Sequence, residues 1–193
     1  MAEKKERAVT RKRAGARQPI AENVELKQTG VENIEANEVT LTQSGVNSVK
    51  AKTVTITQGG AGQVEADSVV VRQGGVGRAE ADDVQITQGG AGLVQAENAS
   101  LTAGGAVAIL ASNVEVESGG AQYMLARESI RVEQGGALVM AAPRIEMQNG
   151  GAVFLIAREV HGNIRTLFDR RSALLFGIAA GVMMGLIART RKR

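Results

Sequence analysis

The chain of 193 residues has no cysteine and no tryptophan, two prolines, one tyrosine, three phenylalanines and a single histidine. Without cysteine it holds no disulfide and no thiolate metal site, which fits a reducing compartment. With so few aromatics, any core must be thin and filled by small or β-branched side chains. The lone histidine, His161, reads as a structural residue rather than a catalytic one. Glycine, at 24 residues, is the opposite case, and its spacing organises the chain.

One unit of about fifteen residues recurs nine times between Val24 and Ala157. It reads V-x-[ILV]-x-Q-x-G-[AV]-x-x-[VIM]-x-A, followed by two or three polar residues. The copy from Val54 to Ala66 is the clearest. A turn glycine returns in every copy, from Gly30, Gly45 and Gly60 to Gly136 and Gly151. A closing alanine does the same, from Ala36, Ala51 and Ala66 to Ala142 and Ala157. A short fixed period of this kind specifies a solenoid, whose coils bury their apolar faces only against one another.

Within a copy the apolar positions alternate with polar ones. Val54 and Ile56 point one way and Thr55 and Thr57 the other, the period of a half-buried strand. Glycine at the first turn supplies a positive φ that a side chain resists. The second turn is polar, as in Asp67-Ser68 and Asp82-Asp83. The fold class is therefore all-β, a single-stranded β-solenoid (β-helix) of nine ~15-residue coils, followed by one C-terminal transmembrane α-helix. An α-solenoid is excluded because its repeats run to roughly 33–47 residues. The glutamine column Gln28, Gln43, Gln58, Gln73, Gln88 and Gln134, with Asn149, is expected inside the coil or at its rim, its amides pairing along the axis.

The chain divides by composition. Residues 1–20 form a basic arm carrying Lys4, Lys5, Arg7, Arg11, Lys12, Arg13 and Arg17 against two glutamates, with no apolar periodicity. They read as disordered, and they contain no apolar stretch of the kind a secretory signal needs. Residues 21–157 are the solenoid, 158–171 a junction or cap, 172–188 an uncharged apolar run, and 189–193 a basic tail. The run of 17 residues sits at the short end of what spans a bilayer. Its apolar residues circle the helix rather than forming a stripe, which disfavours an interfacial helix. Arg170 and Arg171 bound it on one side and Arg189, Arg191, Lys192 and Arg193 on the other. The expectation is a single-pass C-terminal anchor in a membrane, the bacterial inner membrane in particular, with the solenoid on the cytoplasmic side.

Charge follows the same division. The arm holds a net +5, residues 21–164 a net −8 from nine basic and seventeen acidic residues, and residues 165–193 a net +6. The high pI belongs to the ends and not to the fold.

The outward positions of the first strand stay polar throughout, as at Thr55, Gln85, Glu115 and Glu146. Those of the second strand begin polar, at Ser48, Lys50, Gln63, Glu65, Arg78 and Glu80, and turn apolar from the fifth copy. The apolar set is Leu93, Leu110, Tyr123, Leu125, Leu138, Val139, Val153, Phe154 and Ile156, with Val107 beside them. A contiguous apolar face of this size marks an oligomer interface, unless the junction or the tail helix folds back over it. Gly177, Gly181 and Gly185 add a doubled small-xxx-small pattern for packing membrane helices.

Nothing in the chain assembles chemistry. The Gly-Gly turns lack the Lys-Ser/Thr and the helix start of a phosphate loop. Acidic residues such as Glu65, Glu80 and Asp82 spread along solvated faces without the converging pair that glycoside hydrolysis needs. The reading is a protein that is not an enzyme, with no cofactor and no metal.

The regular, loop-free coil resembles the bactofilins and related polymer-forming β-solenoids. That resemblance implies a membrane-associated bacterial scaffold. The segment from Arg171 to Arg189 also looks like the glycine-rich C-terminal anchors of small bacterial inner-membrane proteins, some of them ribosome-associated. The expected function is a membrane-anchored structural scaffold. It would self-associate as a homo-oligomer through its apolar face and glycine-zipper helix, with the lipid membrane and another membrane-assembly protein as further partners. The alternative is a membrane-tethered adaptor whose basic arm binds nucleic acid, a ribosome or anionic lipid by charge. That arm lacks the interleaved aromatics of base recognition.

Overall fold

The computed structural model describes residues 21–28 and 30–168. Seven strands succeed one another in a single sheet in chain order. They are β1 (Ala21–Lys27), β2 (Gly30–Thr42), β3 (Gly45–Lys50), β4 (Thr53–Glu65), β5 (Ser68–Ala141), β6 (Arg144–Ile156) and β7 (Glu159–Phe168). Every pairing is parallel, and Val39 lies against Val54, Val54 against Val69, and Ile130 against Ile145. Each step is one sequence repeat, so the chain climbs as a parallel β-solenoid of about nine turns. At about 4.8 Å per coil the rod is roughly 40 Å long.

The period-2 pattern builds the core directly. Val39, Leu41, Val54, Ile56, Val69 and Val71 of the first strand are buried, and they face Val49, Val64, Val94, Ile109, Met124 and Met140 of the second. Like stacks on like in adjacent coils, so each buried Leu or Ile contributes about 1.5–3 kcal/mol against its neighbours above and below. The closing alanines are buried or half-buried along the whole rod. A methyl at that corner lets the chain turn back close to the opposite strand.

The second turn joins the ladder as well as the strands do. The Ala51 N–H donates to the Glu65 carbonyl at 3.0 Å, Ala66 to Glu80 at 3.0 Å, and Asp82 to Asp67 at 3.0 Å. Polar side chains extend this edge. Asn98 donates to Asp83 at 3.0 Å, Asn113 to Asn98 at 3.5 Å, and the Ser129 hydroxyl to Asn113 at 2.8 Å. Ser129 reaches back sixteen residues instead of fifteen. The extra residue of Arg127-Glu128-Ser129 is thus absorbed in the turn, and the next strand re-enters the ladder with Ile130 buried.

Three sequence expectations are refined. First, of the two places expected for the glutamine column, inside the coil or at its rim, the structure takes the rim: Gln28, Gln43, Gln58, Gln73, Gln88 and Gln134 are exposed, as is Asn149. The amides do pair along the axis there, Nε2 of each donating to Oε1 of the next at 3.0, 3.2, 3.1 and 3.1 Å from Gln28 to Gln88. A primary amide has four hydrogen-bonding sites, which water at the rim satisfies and an apolar interior does not.

Second, the special backbone of the first turn is not where the recurring glycine stands. In the first three copies a glutamine takes the left-handed conformation, Gln28 at φ +53°, Gln43 at +52° and Gln58 at +56°. In the four copies from Gly89 to Gly135 the positive φ moves to the first glycine of the pair, including Gly119 at +122° and Gly135 at +133°. The register slips between Ile56 and Gly59 as β4 meets β5, where one turn geometry hands over to the other. This explains why Ser44 can occupy a position that is glycine in every later copy: in that turn the preceding Gln43 makes the bend.

Third, the parallel ladder does not stop at Ala157. Glu159 pairs with Arg144, Val160 with Ile145, and Phe168 with Phe154. Part of the stretch expected as a junction is a further run of solenoid strand.

Candidate functional site

The second strand and the corner that opens it carry two surfaces in succession. Toward the C-terminal end the outward positions are apolar. Val107, Tyr123, Leu125, Leu138, Phe154 and Ile156 are exposed, with Leu138 at 50% and Ile156 at 68%. Leu93, Leu110, Val139 and Val153 are half-buried and fill the spaces between them. Val139 lies beside Phe154 and Ala141 beside Ile156 in the ladder. The one-coil step then places Tyr123 and Leu125 immediately before them. Gln122 interrupts the column between Val107 and Leu138.

The exposure of these side chains follows from strand alternation. Met124, Met140 and Ile109 point inward and are fully buried, so their neighbours along the strand point out. Val160 joins the exposed apolar residues at 44%. Its column is buried in earlier coils, and sequence reasoning missed it because it lies past the last complete repeat.

Toward the N-terminal end the same outward positions are charged and border a groove along the second turn. The groove has a volume of about 590 Å³. Ala51, Ala66, Ala81 and Ala96 form its floor, Glu65, Glu80 and Gln95 one wall, and Asp67, Asp82 and Glu97 the other. Lys50 and Arg127 stand at its two ends. Lys50 pairs with Glu65 at 2.7 Å, and Arg78 reaches Glu80 at 3.4 Å and Gln95 at 2.6 Å. The hydrogen bond and charge of Glu65 raise the Lys50 ammonium above the ordinary lysine pKa. The ion pairs formed among the described residues leave Asp67, Asp82 and Glu97 as a row of three carboxylates, one per coil. Sequence reading saw Glu65, Glu80 and Asp82 as spread along solvated faces; the coil register is what stacks Glu65 on Glu80 and Asp82 on Asp67.

No group of three or more His, Asp or Glu among the described residues is arranged to hold a metal ion. His161 is exposed, with its neighbour in the ladder Glu146 on the first-strand face. The other residues singled out from sequence lie outside the described residues: the basic arm from Lys4 to Arg17, the helix glycines Gly177, Gly181 and Gly185, and the flanking Arg170, Arg171, Arg189, Arg191, Lys192 and Arg193.

Comparison of the chain with protein-family models, with curated proteins and with solved structures returned no match.

Proposed function

We propose that this protein is a non-enzymatic scaffold that self-associates through the apolar face on the C-terminal half of the rod, and that residues 172–188 anchor it in a membrane. The observation that carries the reading is the run of exposed apolar side chains from Val107 to Ile156, while the outward first-strand positions of the same coils, such as Glu115, Glu117, Arg131, Glu146 and Gln148, are polar. Water-exposed Tyr, Leu, Ile and Phe side chains on adjacent coils lose hydration cost when two such faces meet. The parallel β-solenoid architecture supports the likeness to bactofilins at the level of shape, and a bactofilin-like role would be that of a polymer-forming, membrane-associated support. The apolar run before a basic tail supports the anchor.

The test is the protein mass of the full-length chain in mild detergent, by light scattering with the detergent contribution subtracted. A discrete multiple of the 20.1 kDa chain mass, or an open polymer, is expected. Leu125→Glu combined with Leu138→Glu should dissociate it, because each places a charge in the middle of the apolar face. Thr87→Glu, on the polar first-strand face, should not. A monodisperse monomer for the unmodified chain overturns the proposal. It would move the apolar face to a different protein and bring forward the adaptor reading, which rests on the net +5 of residues 1–20.

A further inference from the structure

The alanine-floored groove and the basic arm belong to one chain, and the register of the first coil brings them together. Ala21 pairs with Ala36, which puts it at the head of the alanine column that continues as Ala51, Ala66, Ala81 and Ala96. The segment 1–20 therefore joins the rod in line with the groove, at its N-terminal end. The groove offers an apolar floor between two acidic walls, and its lining holds five carboxylates against the two cations at its ends. The arm holds seven basic residues against two acidic ones.

We propose that the basic arm of this chain folds back at Ala21 and lies in its own groove, with its lysines and arginines against Asp67, Asp82 and Glu97. Three observations support it. The first is length: twenty residues reach up to roughly 66 Å when extended, while the column from Ala36 to Ala111 climbs only about 24 Å. The second is the state of the carboxylate row. Like charges stacked in register on adjacent strands repel, and the ion pairs of Lys50 and Arg78 are made with the other wall. The third is the pattern of neutralisation. Lys50 and Arg127 occupy the ends of the groove and leave its middle acidic; an extended arm reversing at Ala21 brings Arg17 level with Asp67 and Arg13 close to Glu97, at about 3.3 Å per residue and about 4.8 Å per coil. Tethering gives the arm an effective concentration in the millimolar range at the groove, with no second molecule required.

The arrangement is a regulatory contact. Docked, the arm is withheld from any polyanion, whether a nucleic acid or an anionic membrane surface, and such a ligand gains the arm only by displacing it from the groove. The inference stands apart from self-association through the apolar face, which uses other columns of the solenoid.

Zero-length carbodiimide cross-linking of the full chain in an uncharged mild detergent tests this directly, because it joins a lysine to a carboxylate only in contact. Lys12, which an extended arm carries to the far end of the carboxylate row, should be found joined to Glu97 or Asp82. These links should exceed links to Glu117 and Glu146 about tenfold, as tethered contact predicts. They should vanish at ~1 M salt, where screening acts within about 3 Å, and in the Asp67→Asn, Asp82→Asn, Glu97→Gln triple variant. Mixing isotope-labelled with unlabelled chain identifies whose groove is used. Links within single-isotope chains support the proposal. Mixed-isotope links alone overturn it in favour of a neighbouring copy's groove. Absent links, or links spread evenly over the acidic surface, overturn it outright.

Discussion

The Gly-Gly turns at Gly74, Gly89 and Gly104 each contain two glycines that look interchangeable in sequence and do different work in the solenoid. Gly104 has φ +155°, and a Cβ built there runs into the carbonyl oxygen of Gly89 in the coil before it. Gly105 has no such backbone requirement, and its Cβ would sit 3.5 Å from the Gly120 carbonyl oxygen, an ordinary contact. Alanine at Gly104 should cost about 1–2 kcal/mol in backbone conformation and about 1–3 kcal/mol in overlap with backbone that has little room to retreat. Reduced freedom of the unfolded chain returns about 0.4–1 kcal/mol. The net loss is about 2–4 kcal/mol. At Gly105 only the unfolded-state term is left, so Gly105→Ala should be neutral or stabilising by about 0.4–1 kcal/mol. For a chain of this size a gap of about 2–5 kcal/mol separates the two melting temperatures by roughly 10 °C. Far-UV circular dichroism of full-length Gly104→Ala and Gly105→Ala, melted side by side in the same detergent, measures it. Equal midpoints, or a lower midpoint for Gly105→Ala, would refute the assignment of the strained position to the first glycine.

Further expectations concern the core, the rim and the surface. Met140 is fully buried between the two strands, so Met140→Ala should lower stability by about 2–5 kcal/mol, while Val107→Ala on the exposed corner should change it by less than about 0.5 kcal/mol; urea midpoints compare them. Gln73 accepts from Gln58 and donates to Gln88, both at 3.1 Å, and because this ladder is solvated Gln73→Ala should cost only about 1 kcal/mol. A loss of several kcal/mol would mean that the amides are shielded from water. The Lys50–Glu65 pair is fully exposed, so Lys50→Met should leave the melting temperature unchanged within error at neutral pH. Since the folded-state pKa of Lys50 is raised, whatever this pair contributes is complete below the ordinary lysine pKa and fades as pH rises through the raised value. A Lys50→Met deficit at pH 7 that disappears at high pH would show the pair to be stronger than its exposure allows.

The sequence by itself determined the all-β solenoid, the coil length and the content of the core. Alternation with a fixed fifteen-residue period leaves one economical way to bury Val54, Ile56 and Val64, which is against their own counterparts one coil away. It also set which second-strand residues face out, since a strand that buries Met124 and Met140 must turn Tyr123, Leu125 and Val139 away from the core. Only the tertiary structure decided the rest. Which residue of a turn takes positive φ depends on how successive turns stack, so Gln43 and Gly104 share one role that their letters do not reveal. Whether the amide column lies inside or outside depends on the way the chain rounds that corner. Asp67, Asp82 and Glu97 are fifteen residues apart and look dispersed in sequence. Coil-to-coil pairing makes them neighbours, and it is the same pairing that sets Ala21 at the head of the groove they line.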